Sequence, residues 1–324
     1  MSTTIILDCD PGIDDALAIA FAVGHPGIEL AGITTVAGNV ELAKTTANAL
    51  AVASFVGAPG VPVTAGCAAP LLRQTARAGH VHGESGLGGA VLPAPGRKAA
   101  DGHAADFIVS AIAAAHGEIT LVATGPLTNI AVALRREPRI AQWVRDFVIM
   151  GGSAGRGNVT PAAEFNIWAD PEAAAIVFGA GWTVRMIGLD VTLRARATAA
   201  VQERMREFGR LGADLLLPAL ARYADSHSAA PGGRPPAPTN KKEAAGGPPV
   251  HDVCAVVSVV SPEVFGYTPA SVQVETAGRL TSGMTVTDFS PAIIPNAAVA
   301  TDIDVDRFWA EVLRVYASLA GAMG

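Results

Sequence analysis

The chain alternates short runs of β-branched and other apolar residues with longer segments rich in Ala and Leu. This alternation is typical of repeated βα units, which build a largely parallel sheet flanked by helices. The predicted strands are residues 3–7, 29–36, 118–123, 147–150 and 183–188. The predicted helices between them are residues 16–23, 42–55, 104–116 and 171–178. In such a sheet, loops at the carboxyl ends of the strands form the ligand site.

The pattern changes after residue 211. A helix is predicted from there to about residue 226, and the Pro- and Gly-rich residues 229–249 are typical of a flexible surface loop. Strand-like alternation returns at residues 271–276, 284–288 and 297–304, before a closing helix from Arg307. We therefore predict one α/β domain over residues 1–324. It has an open, mostly parallel, Rossmann-like sheet and a small additional antiparallel element near the C-terminus.

The composition limits the kinds of molecule that the protein is expected to bind. The chain has 324 residues, 50% hydrophobic content and a net charge of −6, which predicts a globular protein without a nucleic-acid or anionic-lipid surface. The N-terminus lacks the pattern of a signal peptide, and no run reaches membrane-spanning length. Three cysteines without CxxC spacing indicate free thiols. We expect a cytoplasmic protein that takes a small neutral or cationic ligand.

An acidic loop follows the first predicted strand directly. Its sequence is Asp-Cys-Asp-Pro-Gly-Ile-Asp-Asp, and its acidic residues are Asp8, Asp10, Asp14 and Asp15. Carboxylates this close repel one another, and a bound Ca²⁺ or Mg²⁺ removes that penalty. A simpler interpretation is a solvated turn in which Asp14 or Asp15 caps the next helix. We expect Asp8 to have a structural role.

An apolar strand that ends in Asp-x-Asp also opens phosphotransferases of the haloacid-dehalogenase type, in which the first Asp is the nucleophile. That chemistry needs a lysine for the phosphate and a later acidic pair for Mg²⁺. None of the lysines follows a predicted strand beside a Gly-Asp motif; they are Lys44, Lys98, Lys241 and Lys242. The positions of the lysines therefore argue against the phosphatase interpretation.

Two further strand-end segments carry polar groups. Asn39 follows the second predicted strand, where its loop approaches the first loop, and it is also a common turn residue. Thr124 ends a third strand, and its backbone carbonyl is suited to a hard metal. We expect Thr128 and Asn129 to stabilise the start of the following helix.

A later loop holds two amides and a carboxylate, Asn158, Glu164 and Asn166, after the apolar strand that ends at Met150. Such groups supply matched donors and acceptors for several sugar hydroxyls. The simpler interpretation is an Asn-rich turn. Asp170-Pro171 is typical of a helix N-cap followed by Pro at the first helical position.

Two histidines stand in polar surroundings. His251-Asp252 precedes an apolar run and is predicted at a helix N-terminus. Asp252 is a candidate metal ligand, and His251 is a candidate proton donor because imidazole titrates near neutrality. His82 lies in a His-Val-His-Gly-Glu segment that is equally compatible with a surface loop.

Taken in order, these motifs resemble the inosine-uridine preferring nucleoside hydrolase family, whose opening signature Asp-x-Asp-Pro-Gly-x-Asp-Asp is matched from Asp8 to Asp15. The resemblance covers almost the whole chain. The other matching elements are Asn39, His82-Gly83, Thr124-Gly-Pro-Leu-Thr-Asn129, Met150-Gly-Gly, Glu164-Phe-Asn166 and His251-Asp252. The chain departs from the family in the Pro/Gly-rich residues 229–249, and in Val253 where Pro is common.

The resemblance implies Ca²⁺-dependent hydrolysis of the N-glycosidic bond of ribonucleosides. The implied calcium ligands are Asp10, Asp15, the Thr124 carbonyl and Asp252. Asp10 would also be the general base that takes a proton from a water activated by the metal, as that water attacks C1′ of an oxocarbenium-like transition state. The implied product pair is ribose and a free purine or pyrimidine.

The resemblance also assigns residues to the two halves of the substrate. The implied ribose contacts are Asp14, Asn39, Asn158, Glu164 and Asn166, with the Met150 side chain nearby. His251 would act as the acid for the departing base, and the implied base-pocket residues are His82, Tyr223 and His227. Tyr223 and His227 are four residues apart and lie on one helical face. A homodimer or homotetramer is implied, whereas the choice between purine and pyrimidine is left open.

Three hypotheses remain at this point: a nucleoside hydrolase, a non-catalytic ribose- or nucleoside-binding protein on the same scaffold, and the Asp-x-Asp phosphatase. The retained base candidate, Asp10, argues against the second hypothesis, and the few lysines argue against the third.

Overall fold

The computed structural model describes residues 2–75, 77–229 and 246–324, and side chains 80 and 224–229 lie outside the description. The described chain forms a nine-stranded sheet in the order β3-β2-β1-β4-β5-β6-β9-β7-β8. The strands are β1 (Thr3–Cys9), β2 (Ile28–Thr35), β3 (Val63–Ala65), β4 (Ile119–Ala123), β5 (Asp146–Met150), β6 (Val184–Ile187), β7 (Phe265–Val274), β8 (Thr285–Asp288) and β9 (Ala297–Ile303). The predicted open, mostly parallel α/β sheet is confirmed.

Helices cover both faces of this sheet. They are α1 (Ile13–Gly24), α2 (Leu42–Phe55), α3 (Gly79–His82), α4 (Ala104–Ala114), α5 (Thr128–Arg136), α6 (Ile140–Trp143), α7 (Phe165–Ala169), α8 (Pro171–Phe178), α9 (Leu189–Thr192), α10 (Ala199–Arg206), α11 (Leu217–Ala229), α12 (Asp252–Val260) and α13 (Val305–Met323). A π-helical segment, Leu211–Leu216, leads into α11, and a 3₁₀ turn, Pro262–Val264, follows α12. None of the described helices is long and apolar enough to cross a bilayer.

The middle of strand β1, Ile5–Leu7, is apolar because both faces of the sheet are covered there. Its side chains alternate between two apolar layers: Ile5 and Leu7 pack in the layer that includes α1, α12 and α13. Ile6 packs in the opposite layer, which includes residues of α4, α5 and α8. This double burial places β1 in the interior of the sheet, between β2 and β4.

The parallel register brings three strand ends to one edge of the sheet. Asp8 of β1 lies opposite Thr34 of β2 and Ala123 of β4. The residues that follow these strands therefore leave the sheet side by side. This register makes neighbours of loops that are far apart in the sequence, among them those of Asp10, Asn39 and Thr124.

The C-terminal strands extend the sheet beyond β6. β9 runs parallel to β6, and β7 pairs antiparallel with both β9 and β8. The predicted antiparallel element near the C-terminus is therefore confirmed. Strand β3 was not predicted, because three residues are too few to show a periodicity. Of the loop predicted at residues 229–249, residues 230–245 lie outside the described residues.

The prediction that Asn129 stabilises the start of its helix is wrong. Its side-chain Nδ2 donates to Asp8 Oδ1 (2.8 Å) and to the Thr35 carbonyl (3.0 Å), and its Oδ1 accepts from the Cys67 amide (2.8 Å). Asn129 is fully buried, so these bonds satisfy groups that water does not reach. It therefore ties the end of β1 to β2 and to the segment after β3.

We predict that Asn129→Ala lowers the free energy of unfolding by about 3 kcal/mol, because each of three buried partner groups loses a bond whose absence costs about 1–3 kcal/mol. Urea denaturation measures this change. The exposed Gln142→Ala in α6 is the control and should change the free energy of unfolding by less than about 0.5 kcal/mol. Equal values for the two variants would contradict the proposed bridging role of Asn129.

Candidate active site

The acidic loop lies at the carboxyl end of β1 and runs into the first turn of α1. Asp14 and Asp15 occupy this first turn, where backbone N–H groups and the helix dipole favour negative charge. The Gly12 amide donates to Asp15 Oδ2 (2.9 Å). All four acidic side chains of the loop are buried, so the solvated-turn interpretation is wrong.

Asp8 is bonded within the sheet. Its Oδ1 accepts from the Thr34 hydroxyl (2.5 Å) and from Asn129. Burial raises the pKa of Asp8 to about 7, against the lowering effect of these two bonds. The carboxyl group joins β1 to its neighbours, in agreement with the structural role expected for it.

The two carboxylate oxygens of Asp10 differ in their hydrogen bonds. Its Oδ2 accepts from the Asn39 amide (2.6 Å), whereas Oδ1 is buried and accepts no hydrogen bond from the described residues. Two glycines make room for the carboxylate. A Cβ atom at Gly38 would lie 2.1 Å from Oδ2, and one at Gly125 would lie 2.6 Å from Oδ1. The loop therefore presents one oxygen of a buried carboxylate with unused acceptor capacity.

Asp15 is surrounded by donors from three loops. Besides the Gly12 amide, Asn39 Nδ2 donates to Oδ2 (3.2 Å) and the Thr124 hydroxyl donates to Oδ1 (2.9 Å). The same Asn39 Nδ2 also lies 3.2 Å from the Asp10 carbonyl. Asn39 thus connects the two carboxylates that the sequence assigned to metal binding, and its own position depends on the parallel register of β1 and β2.

Asp252, at the start of α12, completes an acidic trio with Asp14 and Asp15. One carboxylate oxygen from each of the three residues lies within 4.8 Å of the other two. Burial raises the pKa of Asp252 well above its usual value, and the charges of Asp14 and Asp15 raise it further. Burial and the charge of Asp15 raise the pKa of Asp14 to about 7. Three buried carboxylates in this arrangement are suited to a hard cation.

The trio differs from the ligand set that the resemblance implied. It contains Asp14, which the resemblance assigned to ribose, and does not contain Asp10. Asn39 links Asp10 to the trio, because its amide donates to Asp10 Oδ2 and its Nδ2 donates to Asp15 Oδ2. Burial raises the pKa of Asp10 well above its usual range, and the charges of Asp15 and Asp14 raise it further. The Thr124 carbonyl accepts from Asn166 Nδ2 (2.8 Å), a contact that uses one of its two lone pairs.

The loop after β5 is positioned by its own polar groups. Glu164 caps α7 by accepting from the Asn166 amide (2.9 Å), and it also accepts from the Gly152 amide (2.9 Å) of the loop after β5. Burial raises the pKa of Glu164 to about 7. Asn166 Nδ2 donates to the Met150 carbonyl (3.0 Å) as well as to the Thr124 carbonyl. Asn166 therefore joins the ends of β4 and β5. Asn158 is exposed, and its Oδ1 accepts from the Phe165 amide (3.0 Å).

Three rings form a row beside the acidic residues. The centroids of His82 and Tyr223 are 5.7 Å apart, and those of Tyr223 and His251 are 6.4 Å apart in an edge-on arrangement. The row is connected to the acidic loop at both ends. The Ile13 amide donates to His82 Nδ1 (3.1 Å), and the His251 amide donates to Asp14 Oδ2 (3.4 Å). The side chain of His227 lies outside the described residues.

Sequence reasoning missed Thr192. Its hydroxyl is 2.7 Å from His251 Nδ1, and both side chains are buried. Thr192 ends α9, the short helix that follows β6. A usable signal was present, because Thr192 is a polar residue just beyond a predicted strand. Asn39 and Thr124 stand in the same kind of position, just after a predicted strand.

Comparisons with known proteins identify the family of this chain. A sequence model of the inosine-uridine preferring nucleoside hydrolase family matches residues 5–310. The chain is 46% identical over 317 residues to the inosine-uridine preferring nucleoside hydrolase of Leishmania major, with 97% of each chain covered. It is 40% identical over 322 residues to a pyrimidine-specific ribonucleoside hydrolase of Salmonella paratyphi C, covering 98% of this chain and 100% of the relative.

A solved structure gives the same result for the fold. The purine-preferring ribonucleoside hydrolase from Gardnerella vaginalis superposes with a TM-score of 0.90 at 34% identity, covering 99% of this chain and 100% of that chain. The agreement extends over the sheet, the flanking helices and the C-terminal antiparallel strands. The chain therefore belongs to the inosine-uridine preferring nucleoside hydrolase family and is an enzyme of the class that hydrolyses N-glycosidic bonds.

Proposed function

We propose that this enzyme hydrolyses ribonucleosides to ribose and free base with the help of Ca²⁺, and that Asp10 is its general base. The observation that carries this proposal is the buried Asp10 Oδ1, which has no hydrogen-bond donor among the described residues. Asn39 bonds both Asp10 and Asp15, so it links this carboxylate to the acidic trio. A buried acceptor left without a partner is costly unless a ligand supplies one. A cation and a water molecule would supply partners here.

The donor set suits calcium. Asp10, Asp15, Asp252 and the Thr124 carbonyl offer oxygen atoms only, which hard cations prefer. Burial and mutual repulsion raise the pKa of each of these carboxyl groups. Bound Ca²⁺ would keep the carboxylates ionised, hold the ribose 2′- and 3′-hydroxyls and make water more acidic. The Asp14 carboxylate, as the third member of the trio, would lie next to the same ribose hydroxyls.

Asp10 acts on the attacking water. The Asn39 amide holds Oδ2 at 2.6 Å, so the carboxylate is fixed while Oδ1 accepts the proton. The oxygen of that water bonds to C1′ of the ribose as the bond from C1′ to the base nitrogen breaks. The electron pair of the broken bond leaves with the base, through an oxocarbenium-like transition state.

His251 supplies the proton that the departing base needs. A purine or pyrimidine anion is a poor leaving group, and protonation by a positioned imidazole accelerates its departure. With one proton taken by Asp10 and one given by His251, the sum of the reaction is nucleoside plus water to ribose plus base. Asp10 and His251 exchange these protons with solvent before the next turnover.

The remaining residues that the sequence analysis selected would bind the two halves of the substrate. We assign the ribose to Asp14, Asn39, Asn158, Glu164 and Asn166, with Met150 beside it. We assign the base to His82, Tyr223 and His227. Similar proteins bear the names pyrimidine-specific and purine-preferring, so the family admits both kinds of base. The base-side residues, rather than the acidic loop, are therefore expected to set the preference.

We place this activity in the cytoplasm, in a homodimer or homotetramer that takes part in nucleoside catabolism. All three cysteines are free thiols, two of them buried, as suits a reducing compartment. Light scattering after size-exclusion chromatography measures the oligomeric state. A mass of one chain at working concentration would contradict the oligomer.

Ribose release tests the proposed function. The purified protein is incubated separately with inosine, adenosine, guanosine, uridine and cytidine, with Ca²⁺ or with a chelator. We expect ribose and base in equal amounts from at least one nucleoside, and loss of the activity on chelation that added Ca²⁺ restores. Tight nucleoside binding without product would favour the non-catalytic alternative, and phosphate release from phosphomonoesters with Mg²⁺ would favour the phosphatase.

The first prediction from this site concerns metal affinity and pH. The pKa values of the ligand carboxyls Asp10, Asp15 and Asp252 are raised, so protons compete with Ca²⁺, the affinity should rise with pH, and binding should release protons. The pKa of the neighbouring Asp14 carboxyl is raised to about 7, which places part of this rise between about pH 6 and about pH 8. Calorimetric titration of the metal-free protein in buffers of different ionisation enthalpy measures both quantities. An affinity that is constant over this range, with no proton release, would contradict the assignment of the ligands.

The second prediction concerns Asp10. Asp10→Asn removes the base with little change in shape, and we expect kcat to fall by about 100-fold or more. Gly38→Ala should also lower kcat, because the added Cβ would lie 2.1 Å from Asp10 Oδ2 and would displace the carboxylate. Gly60→Ala is the matched control, because a Cβ there meets nothing within 4 Å. A Gly38→Ala variant as active as Gly60→Ala would show that the position of Asp10 is not critical.

A further inference from the structure

Thr192 and His251 form a buried pair that joins two distant segments of the chain. The Thr192 hydroxyl is 2.7 Å from His251 Nδ1, and Thr192 itself is fully buried. Such a hydroxyl either donates to or accepts from the ring nitrogen, so the bond persists whichever nitrogen carries the proton. The contact therefore fixes the rotation of the imidazole and assigns Nδ1 to the protein.

The backbone around this pair is built to keep the two side chains together. The Val250 amide donates to the Ala195 carbonyl (2.9 Å), and the Ala197 amide donates to the Pro248 carbonyl (2.9 Å). An antiparallel bridge links Arg196 to Pro249. The chain just after Thr192 is therefore bonded to the chain just before His251. This short ladder sets the spacing of the hydroxyl and the ring.

His82, the other histidine of the row, has a different kind of partner at Nδ1. Its Nδ1 accepts from a backbone amide, that of Ile13 at 3.1 Å, and an amide can only donate. This bond requires the proton of a neutral His82 ring to be on Nε2. The partner of His251 is instead a hydroxyl, which follows the ring in either tautomer. Of the two histidines in the row, His251 is the one whose partner is compatible with a proton on Nδ1.

From these contacts we infer that Thr192 is a positioning residue for His251: its hydroxyl holds the imidazole in the orientation from which Nε2 serves the departing base. This inference rests on the proposed function of His251 as the acid. It concerns only the second half of the reaction. Loss of the Thr192 hydroxyl should therefore lower kcat most for substrates whose leaving group must be protonated, and least for substrates whose leaving group departs as an anion.

The test compares two leaving groups. Thr192→Val removes the hydroxyl and keeps the shape, and Thr192→Ser keeps the hydroxyl. The substrates are the best natural nucleoside and p-nitrophenyl β-D-ribofuranoside, whose phenolate departs without protonation. We expect Thr192→Val to lower kcat on the nucleoside by about 10- to 100-fold, with KM changed by less than about threefold. On the nitrophenyl riboside, kcat should change by less than about threefold, and Thr192→Ser should recover most of the nucleoside activity.

Two controls separate the inference from its premises. Thr46→Val in α2 removes a buried hydroxyl that bonds the Thr35 hydroxyl of β2 (2.7 Å), and it should leave both activities within about twofold of the wild type. His251→Ala should show the same selective loss as Thr192→Val, and a larger one. Activity on the nitrophenyl riboside also shows that each variant is folded.

Each other outcome identifies what has failed. Equal losses of Thr192→Val on both substrates would show a structural role only, and no loss on either would show no role; both overturn the inference. A selective loss in His251→Ala without one in Thr192→Val overturns the inference and leaves the proposed function standing. If His251→Ala loses both activities equally, the assignment of the acid fails and the role of Thr192 fails with it. A wild-type protein that releases no ribose overturns the proposed function itself.

Discussion

The mutual repulsion of buried carboxylates is the physical constraint on which the candidate active site depends. Asp10, Asp14, Asp15 and Asp252 are buried together, and burial with neighbouring charge raises the pKa of each. A fold holds such a cluster only if donors satisfy some of the oxygens and a cation compensates for the rest. The donors come from Gly12, Asn39 and Thr124. Asp10 Oδ1, which is buried and has no donor among the described residues, is the oxygen that we assign to chemistry.

The parallel sheet makes this cluster possible. The loops that provide Asp10, Asn39 and Thr124 follow β1, β2 and β4, whose ends are aligned by the parallel register. Asn129 fixes these ends through bonds to Asp8, to the Thr35 carbonyl and to the Cys67 amide. Asp252 arrives at the same edge on α12, which packs against α1. The acidic residues, which we assign to the metal and the ribose, and the rings, which we assign to the base, are thus held by one scaffold.

Local patterns in the sequence predicted most of the fold. Helix α2 was predicted with its observed bounds, and β1 and β2 to within two residues at each end, because periodicity and turn residues are local signals. The N-cap at Asp170 was predicted for the same reason, and Asp170 accepts from the Ala173 amide. The roles of Asn129 and Thr192 could not be predicted in this way. Asn129 and Asp8 are 121 residues apart, and Thr192 and His251 are 59 apart, so these contacts exist only once the strands are assembled. The acidic trio contains Asp14, whereas the resemblance implied Asp10 as a metal ligand. This difference depends on where the folded loop directs each side chain, which the sequence does not show.

The measurement that tests this account most directly is a crystal structure of the protein grown with Ca²⁺, with the metal located by its anomalous scattering. The account predicts one peak per chain at about 2.3–2.6 Å from oxygens of Asp10, Asp15, Asp252 and the Thr124 carbonyl. It also predicts that the peak is lost in Asp252→Asn. A catalytically active crystal form with no metal at this edge of the sheet, or with the metal held by other residues, would contradict it.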